Sequence, residues 1–157
     1  MHPRLVTAAL TAAAAVAGSL GTRPASDWYT SLDKPDWQPP PAAFPLVWTP
    51  LYGLIGWGTG RALERARRRS PGEGRRVLAL TTADLATNAG WCWVFFARQS
   101  PGAGLAVIAG LDVLNVALLR EAARHDRRAA AALAPYVAWT GFATALNASV
   151  WWRNRSR

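Results

Sequence analysis

The sequence predicts an all-α membrane protein, a single domain of 157 residues folded as a bundle of five transmembrane helices. Three observations predict it. The chain is 51% hydrophobic and only 17% charged, and its charges are segregated rather than dispersed. They crowd into short stretches, chiefly 61–76 and 120–128, while the segments between run nearly charge-free for roughly 17 to 24 residues, the length of helix that crosses a bilayer. Those segments are continuous and rich in Ala and Leu. They lack the alternation of a barrel strand, so helices are what satisfies their backbone in lipid.

The elements follow in order at 5–21, 44–63, 77–97, 102–119 and 129–152. The first is short, and His2 and Arg4 precede an Ala-rich run followed by small residues, so a cleavable signal peptide is its rival reading. The second carries Trp48 and Tyr52 and then Gly53, Gly56, Gly58 and Gly60. No strand precedes these glycines, so they do not make a nucleotide-binding loop; the four-residue spacing of Gly56 and Gly60 reads as close helix packing. The third segment holds Asp84 and Asn88, and the fourth, also short, holds Asp112. The fifth is the longest.

The connection 22–43 is unlike the others, with Trp28, Tyr29, Lys34, Trp37 and the run Pro39, Pro40, Pro41. Prolines restrict the backbone and aromatics cover apolar surface, which predicts an ordered segment. It reads either as an interfacial aromatic belt or as a lid over a cavity in the bundle.

A net charge of +9 invites a nucleic-acid reading, but the Arg runs fall where apolar segments need loops, and no zinc spacing or RNA-binding motif accompanies them. No nucleic-acid partner is expected. With five crossings, Arg4, seven Arg in 61–76 and four in 120–128 share one side, twelve in all, against Arg23, Lys34, Arg98, Arg153, Arg155 and Arg157 on the other. The positive-inside rule puts the N-terminus and the Arg-rich loops in the cytoplasm and the C-terminus outside. Cys92 is the sole cysteine, which excludes an intrachain disulfide and a Cys-based zinc site. His2 and His125 read as solvated residues of terminal and loop sequence. Nucleophile elbow, Walker loop and HExxH are all absent, so neither a metal nor a required cofactor is expected.

A charged Asp inside an apolar segment costs about 2.5 to 3.5 kcal/mol on insertion scales, so Asp84 and Asp112 should face the bundle interior or a watery cavity. Asp84, Asn88, Trp91 and Phe95 are spaced i, i+4, i+7 and i+11 and share one helical face. Trp48 and Tyr52 form an i, i+4 pair, and Trp139, Ala143 and Leu146 form a third stripe. Such stripes serve packing or line a ligand pocket, which is typically apolar and aromatic with a few placed polar groups. Small residues from Ala79 and Ala83 to Ala86 and Gly90 suit close approach of a second copy, so a homodimer is expected.

Several blocks together carry a resemblance. The first is Trp28-Tyr29, Leu32, Lys34-Pro35, Trp37, Pro39-Pro40, Phe44, Trp48-Thr49 and Leu51-Tyr52; the second is Leu85, Asn88, Trp91, Phe95 and Phe96. The third is Pro135-Tyr136, Trp139, Phe142-Ala143, Leu146-Asn147, Trp151 and Asn154. They resemble, in order, the WYxxLxKPxWxPP…F…WTxLY, LxxNxxWxxxFF and fifth-helix patterns of the tryptophan-rich sensory protein and translocator protein family (TspO/MBR). The resemblance implies a five-helix bundle, commonly a homodimer, binding porphyrins, haem-like tetrapyrroles and in some members sterols or drug-like ligands, as a sensor or transporter. The pocket it implies comprises Trp37, Trp48, Tyr52, Asn88, Trp91, Phe95, Trp139 and Ala143, beside Asp84 and Leu146 on the same stripes. A second implied chemistry, light-dependent porphyrin degradation, would fall to Trp48 and Trp139. Thr81 and Asp84 stand where the family commonly has Tyr and Gln, which alters pocket polarity. Ala148 and Ser149 replace the Tyr of the sterol motif, so sterol binding is not implied.

Overall fold

The computed structural model describes residues 2–156. Arg157, counted above on the outer side, lies outside them. Five long helices run through the described residues: α1 (Pro3–Gly21), α3 (Ala43–Arg69), α4 (Pro71–Cys92), α5 (Pro101–His125) and α6 (Arg127–Asn154), with a single short helix α2 (Asp27–Ser31) in the first connection. The all-α bundle read from the sequence is therefore the fold. Helices α1, α5 and α6 are each long and apolar enough to cross a membrane. Helices α3 and α4 are long enough but more polar, because they carry the glycines, Asp84 and Asn88.

Local sequence explains where the helices stop and start. Ser70 and Ser100 cap α4 and α5 by accepting from the backbone of Glu73 and Ala103, each followed by a proline at the first helical position. Asp126 caps α6 through the N–H groups of Arg128 and Ala129. Pro50 and Pro135 lie inside α3 and α6, where each removes one backbone rung. Such breaks are tolerated where neighbouring helices cover them.

The Arg-rich stretches are not loops, as the sequence reading had them. Helix α3 runs on to Arg69 and α4 starts at Pro71, so Ser70 alone turns the chain; Asp126 alone separates α5 from α6. Arg has high helix propensity, so the drop in hydropathy marks where the helices leave the apolar layer, not where they end. The reading of His125 as a solvated loop histidine is corrected with it. Its side chain is 3% exposed, with Nε2 3.3 Å from Glu121 and Nδ1 3.6 Å from Glu73.

Helix α1 packs on α3 and α4, α3 also on α4 and α6, and α5 on α4 and α6. The glycines set the closest of these approaches. A Cβ on Gly60 would stand 2.8 Å from Thr7 Oγ1 and 3.1 Å from Arg4 Cα, and Thr7 donates to the Gly56 carbonyl at 3.0 Å. Gly58 likewise abuts Ala129 and Ala132 of α6. Helix α1 is thus built into the bundle, and the indole of Trp93 donates to Ala17 O at 2.9 Å.

Helix α4 does not end as an α-helix. Trp93–Ala97 form a π turn, in which Arg98 N bonds Trp93 O, and Gln99 closes it with φ 54°. Neighbouring residues of a regular helix point about 100° apart. The widened turn lets both Phe95 and Phe96 bury, at 4% and 9% exposure. They meet Trp28 and Tyr29 of the first connection at ring-centroid distances of 5.7 and 5.1 Å. The connection is pinned at its far side as well, where Asn154 holds both the N–H and the carbonyl of Asp33.

Candidate ligand-binding site

One polar chain crosses the interior between α3, α4 and α6. Tyr52 donates to Asn88 Oδ1 at 3.3 Å, Asn88 Nδ2 donates to the Tyr136 hydroxyl at 3.1 Å, and that hydroxyl donates to Asp84 Oδ1 at 3.1 Å. Asp84 and Tyr136 are fully buried and Asn88 is 5% exposed. Buried polar groups stay stable by pairing, and this chain pairs each member to a different helix. The membrane-embedded carboxylate inferred at Asp84 therefore does face the bundle interior. Asp112 does so too, accepting from Thr144 of α6 at 2.7 Å.

Aromatic rings wall this chain on its α3 and α6 sides. Trp48 stacks on Tyr52 at 5.3 Å and meets Tyr136 edge-on at 6.1 Å. One turn toward the first connection, Phe44 meets Trp139, Trp139 meets Phe142, and Phe142 meets Trp37, which is half exposed. The rings thus form two walls, one from Tyr52 through Trp48 to Tyr136 and a second from Phe44 through Trp139 and Phe142 to Trp37. Within the second the indole Nε1 of Trp139 is buried and finds no acceptor among the described residues.

The residues singled out in the sequence divide into two groups. Trp37, Trp48, Tyr52, Asp84, Asn88 and Trp139 belong to the two walls and the polar chain. Trp91, Phe95 and Leu146 gather instead in the cluster under Trp28 and Tyr29. There Trp91 stacks on Phe95 at 5.1 Å, and its indole is already committed to Asn147 Oδ1 at 2.9 Å. Ala143 is half-buried on α6, one turn from Trp139. The sequence reading missed Tyr136 as the hub of the polar chain. Its signal was available, since Tyr136 lies one turn before Trp139 and follows a helix-interior proline, but a tyrosine beside Trp-rich stripes reads as packing.

Multi-pass α-helical membrane proteins are the class this architecture defines: apolar helices long enough to span, with polar side chains such as Asp84, Asn88 and Tyr136 paired across helices inside. The chain belongs to the TspO/MBR family, whose pattern matches residues 6–153. It is 36% identical to the tryptophan-rich protein TspO of Chlorobaculum tepidum, over 96% of this chain and 97% of that protein. It is 35% identical to the tryptophan-rich sensory protein of Cereibacter sphaeroides, over 77% of this chain and 73% of that one. The translocator protein of Homo sapiens is 35% identical, over 83% and 79% respectively.

Proposed function

We propose that this membrane protein binds a flat, apolar, tetrapyrrole-like ligand such as a porphyrin between α3, α4 and α6, beneath the 22–43 connection, and acts as a sensor or transporter. The observation that carries the reading is Trp139, a buried indole N–H with no acceptor among the described residues, set in a wall of rings that continues to the half-exposed Trp37. A ligand that adds ring area and one acceptor oxygen would satisfy both features. Trp37 then covers the entrance, Trp48 and Tyr52 form the opposite wall, and Asn88 orients the ligand. Trp91, Phe95 and Leu146 support the wall from the adjoining cluster. The names of the relatives, a sensory protein and translocator proteins, fit this reading.

The test is a fluorescence-quenching titration of the folded protein with protoporphyrin, in the dark and in light. Saturable binding is expected in the wild type, weakened roughly tenfold by Trp139→Ala and by Ala143→Phe, which fills space without altering charge. Trp152→Ala, in an exposed ring at the end of α6, should bind like the wild type. Equal affinity in all four would place the ligand elsewhere. Light-dependent loss of the porphyrin spectrum would make the site a degrading one, with Trp48 and Trp139 as its reactive rings. A homodimer is part of the proposal, on the outward-facing Ala79, Ala83 and Ala86 of α4. A monomer by light scattering in both detergent and nanodiscs would remove it.

A further inference from the structure

The charge of this protein is concentrated by the fold. The start of α1, the end of α3, the start of α4, the end of α5 and the start of α6 meet at one end of the bundle, bringing together all twelve Arg of positions 4, 61–76 and 120–128. Four carboxylates accompany them: Glu64, Glu73, Glu121 and Asp126. Between α1 and α3 this end opens into a cavity of about 210 Å³ lined by Arg4, Arg61, Glu64, Arg65 and Arg68. The glycine contacts bring Arg4 to it, because α1 lies against Gly60 closely enough that Arg4 reaches Glu64 at 3.0 Å.

Pairing within the cavity is incomplete. Glu64 serves both Arg4 and Arg68, and Asp126 serves both Arg61 and, at 3.8 Å, Arg65. Two carboxylates for four guanidinium groups leave two positive charges uncompensated. Arg61 is also held in place before any ligand arrives, by Asp126 on one side and by the Trp57 ring 5.0 Å from its guanidinium carbon. Its Nε is shielded and finds no acceptor among the described residues. A fixed, incompletely satisfied guanidinium beside three others is a receptor for a phosphate group, whose oxygens match the planar fork.

The same helix face says what carries the phosphate. Leu46, Leu54, Trp57, Arg61, Arg65 and Arg68 fall at helical spacing along one stripe of α3. Leu46, Leu54 and Trp57 are 76%, 36% and 45% exposed, respectively. The stripe passes from exposed apolar side chains to the Arg cavity without a break. We propose that this cavity is a binding site for the phosphate of an anionic phospholipid, whose acyl chain lies along Leu54 and Leu46 past Trp57. A free phosphate shares the headgroup chemistry but gains nothing from the apolar half of the stripe.

The experiment is native mass spectrometry of the full chain in detergent with phosphatidylglycerol or phosphatidylcholine of matched acyl chains. Phosphatidylglycerol adducts should be retained preferentially. Arg4→Gln, Arg65→Gln and Arg68→Gln should each weaken them about fivefold, the scale of about 1 kcal/mol per basic residue at an anionic surface. Glu64→Gln should strengthen them, an effect of opposite sign that misfolding does not mimic. Arg120→Gln, exposed and off the stripe, should leave them unchanged. An equal loss with Arg120→Gln would mean a diffuse basic surface and overturn the site. Displacement by millimolar inorganic phosphate, beyond that caused by sodium chloride of equal ionic strength and with no preference for phosphatidylglycerol, would overturn the lipid assignment.

Discussion

The hydroxyl of Tyr136 donates to Oδ1 of Asp84 across 3.1 Å, joining α6 to α4 at a depth where neither residue is exposed to solvent. Because Asn88 donates to the same hydroxyl, one oxygen links three side chains. Tyr136→Phe should therefore lower the melting temperature of the detergent-solubilised protein. Leaving Asp84 and Asn88 unsatisfied costs about 1 to 3 kcal/mol per buried group. Asp84→Ala alone should also destabilise, but the double variant should cost less than the sum, because each single change already breaks the same bond. Additive shifts in a thermal denaturation series would show that the two residues act independently.

Two glycines of α3 should respond to alanine in opposite directions. At Gly60 the new Cβ would meet Thr7 and Arg4 of α1 at 2.8 and 3.1 Å, so the helices must separate. At Gly53 it would meet nothing within 4 Å, and the substitution gains helix propensity of up to about 1 kcal/mol. Gly60→Ala should melt several degrees lower than the wild type and Gly53→Ala no lower. If both variants melted together, the close approach of α1 to α3 would be wrong.

Asp126 gives the basic end of the bundle a pH dependence. Burial pushes its carboxyl up, but the hydrogen bond from Arg61 and those from the Ala129 and Arg128 N–H groups outweigh it and hold the carboxyl below its ordinary value of 3.8. A depressed folded-state value means that the stabilisation is present at neutral pH and is lost as pH falls through about 4 and below. Asp126→Asn keeps an N-cap but loses the charge; Asp126→Ala loses both, and a lost cap costs about 1 kcal/mol. Melting temperatures at pH 7 should rank wild type above Asn above Ala, with the wild-type advantage over Asn shrinking as the pH is taken below the ordinary carboxylate range. A constant difference across that range would exclude the linkage.

The two ends of the bundle are distinct, and the Arg-rich one is expected to face the cytoplasm. In a Cys92→Ser background, Lys34→Cys should react with an impermeant thiol reagent applied to intact cells, and Gly72→Cys, exposed in the first turn of α4, should not. The reverse labelling pattern would invert the topology.

The sequence by itself determined the all-helical architecture and the segregation of its charges, because both depend on quantities that add along the chain. Apolar length sets the number of long helices, and each reversal of direction returns the Arg clusters to the same end. It also marked Gly56 and Gly60 as packing residues, since four-residue spacing puts both on one face. Helix ends were misread at 61–76 and 120–128 because hydropathy reports the environment of a segment and not its backbone, and Arg is content in a helix. What only the tertiary structure decided is which side chains meet across helices. Asp84, Asn88, Trp91 and Phe95 share a face, yet α4 is wide enough that Asn88 turns to Tyr52 and Tyr136 while Trp91 turns to Asn147. The π turn then commits Phe95 and Phe96 to the cluster under Trp28 and Tyr29. Tyr136 became the hub, and the His125 side chain was shielded between Glu73 and Glu121, because the rotation of each helix about its own axis and its distance from its neighbours are set by packing among segments far apart in sequence.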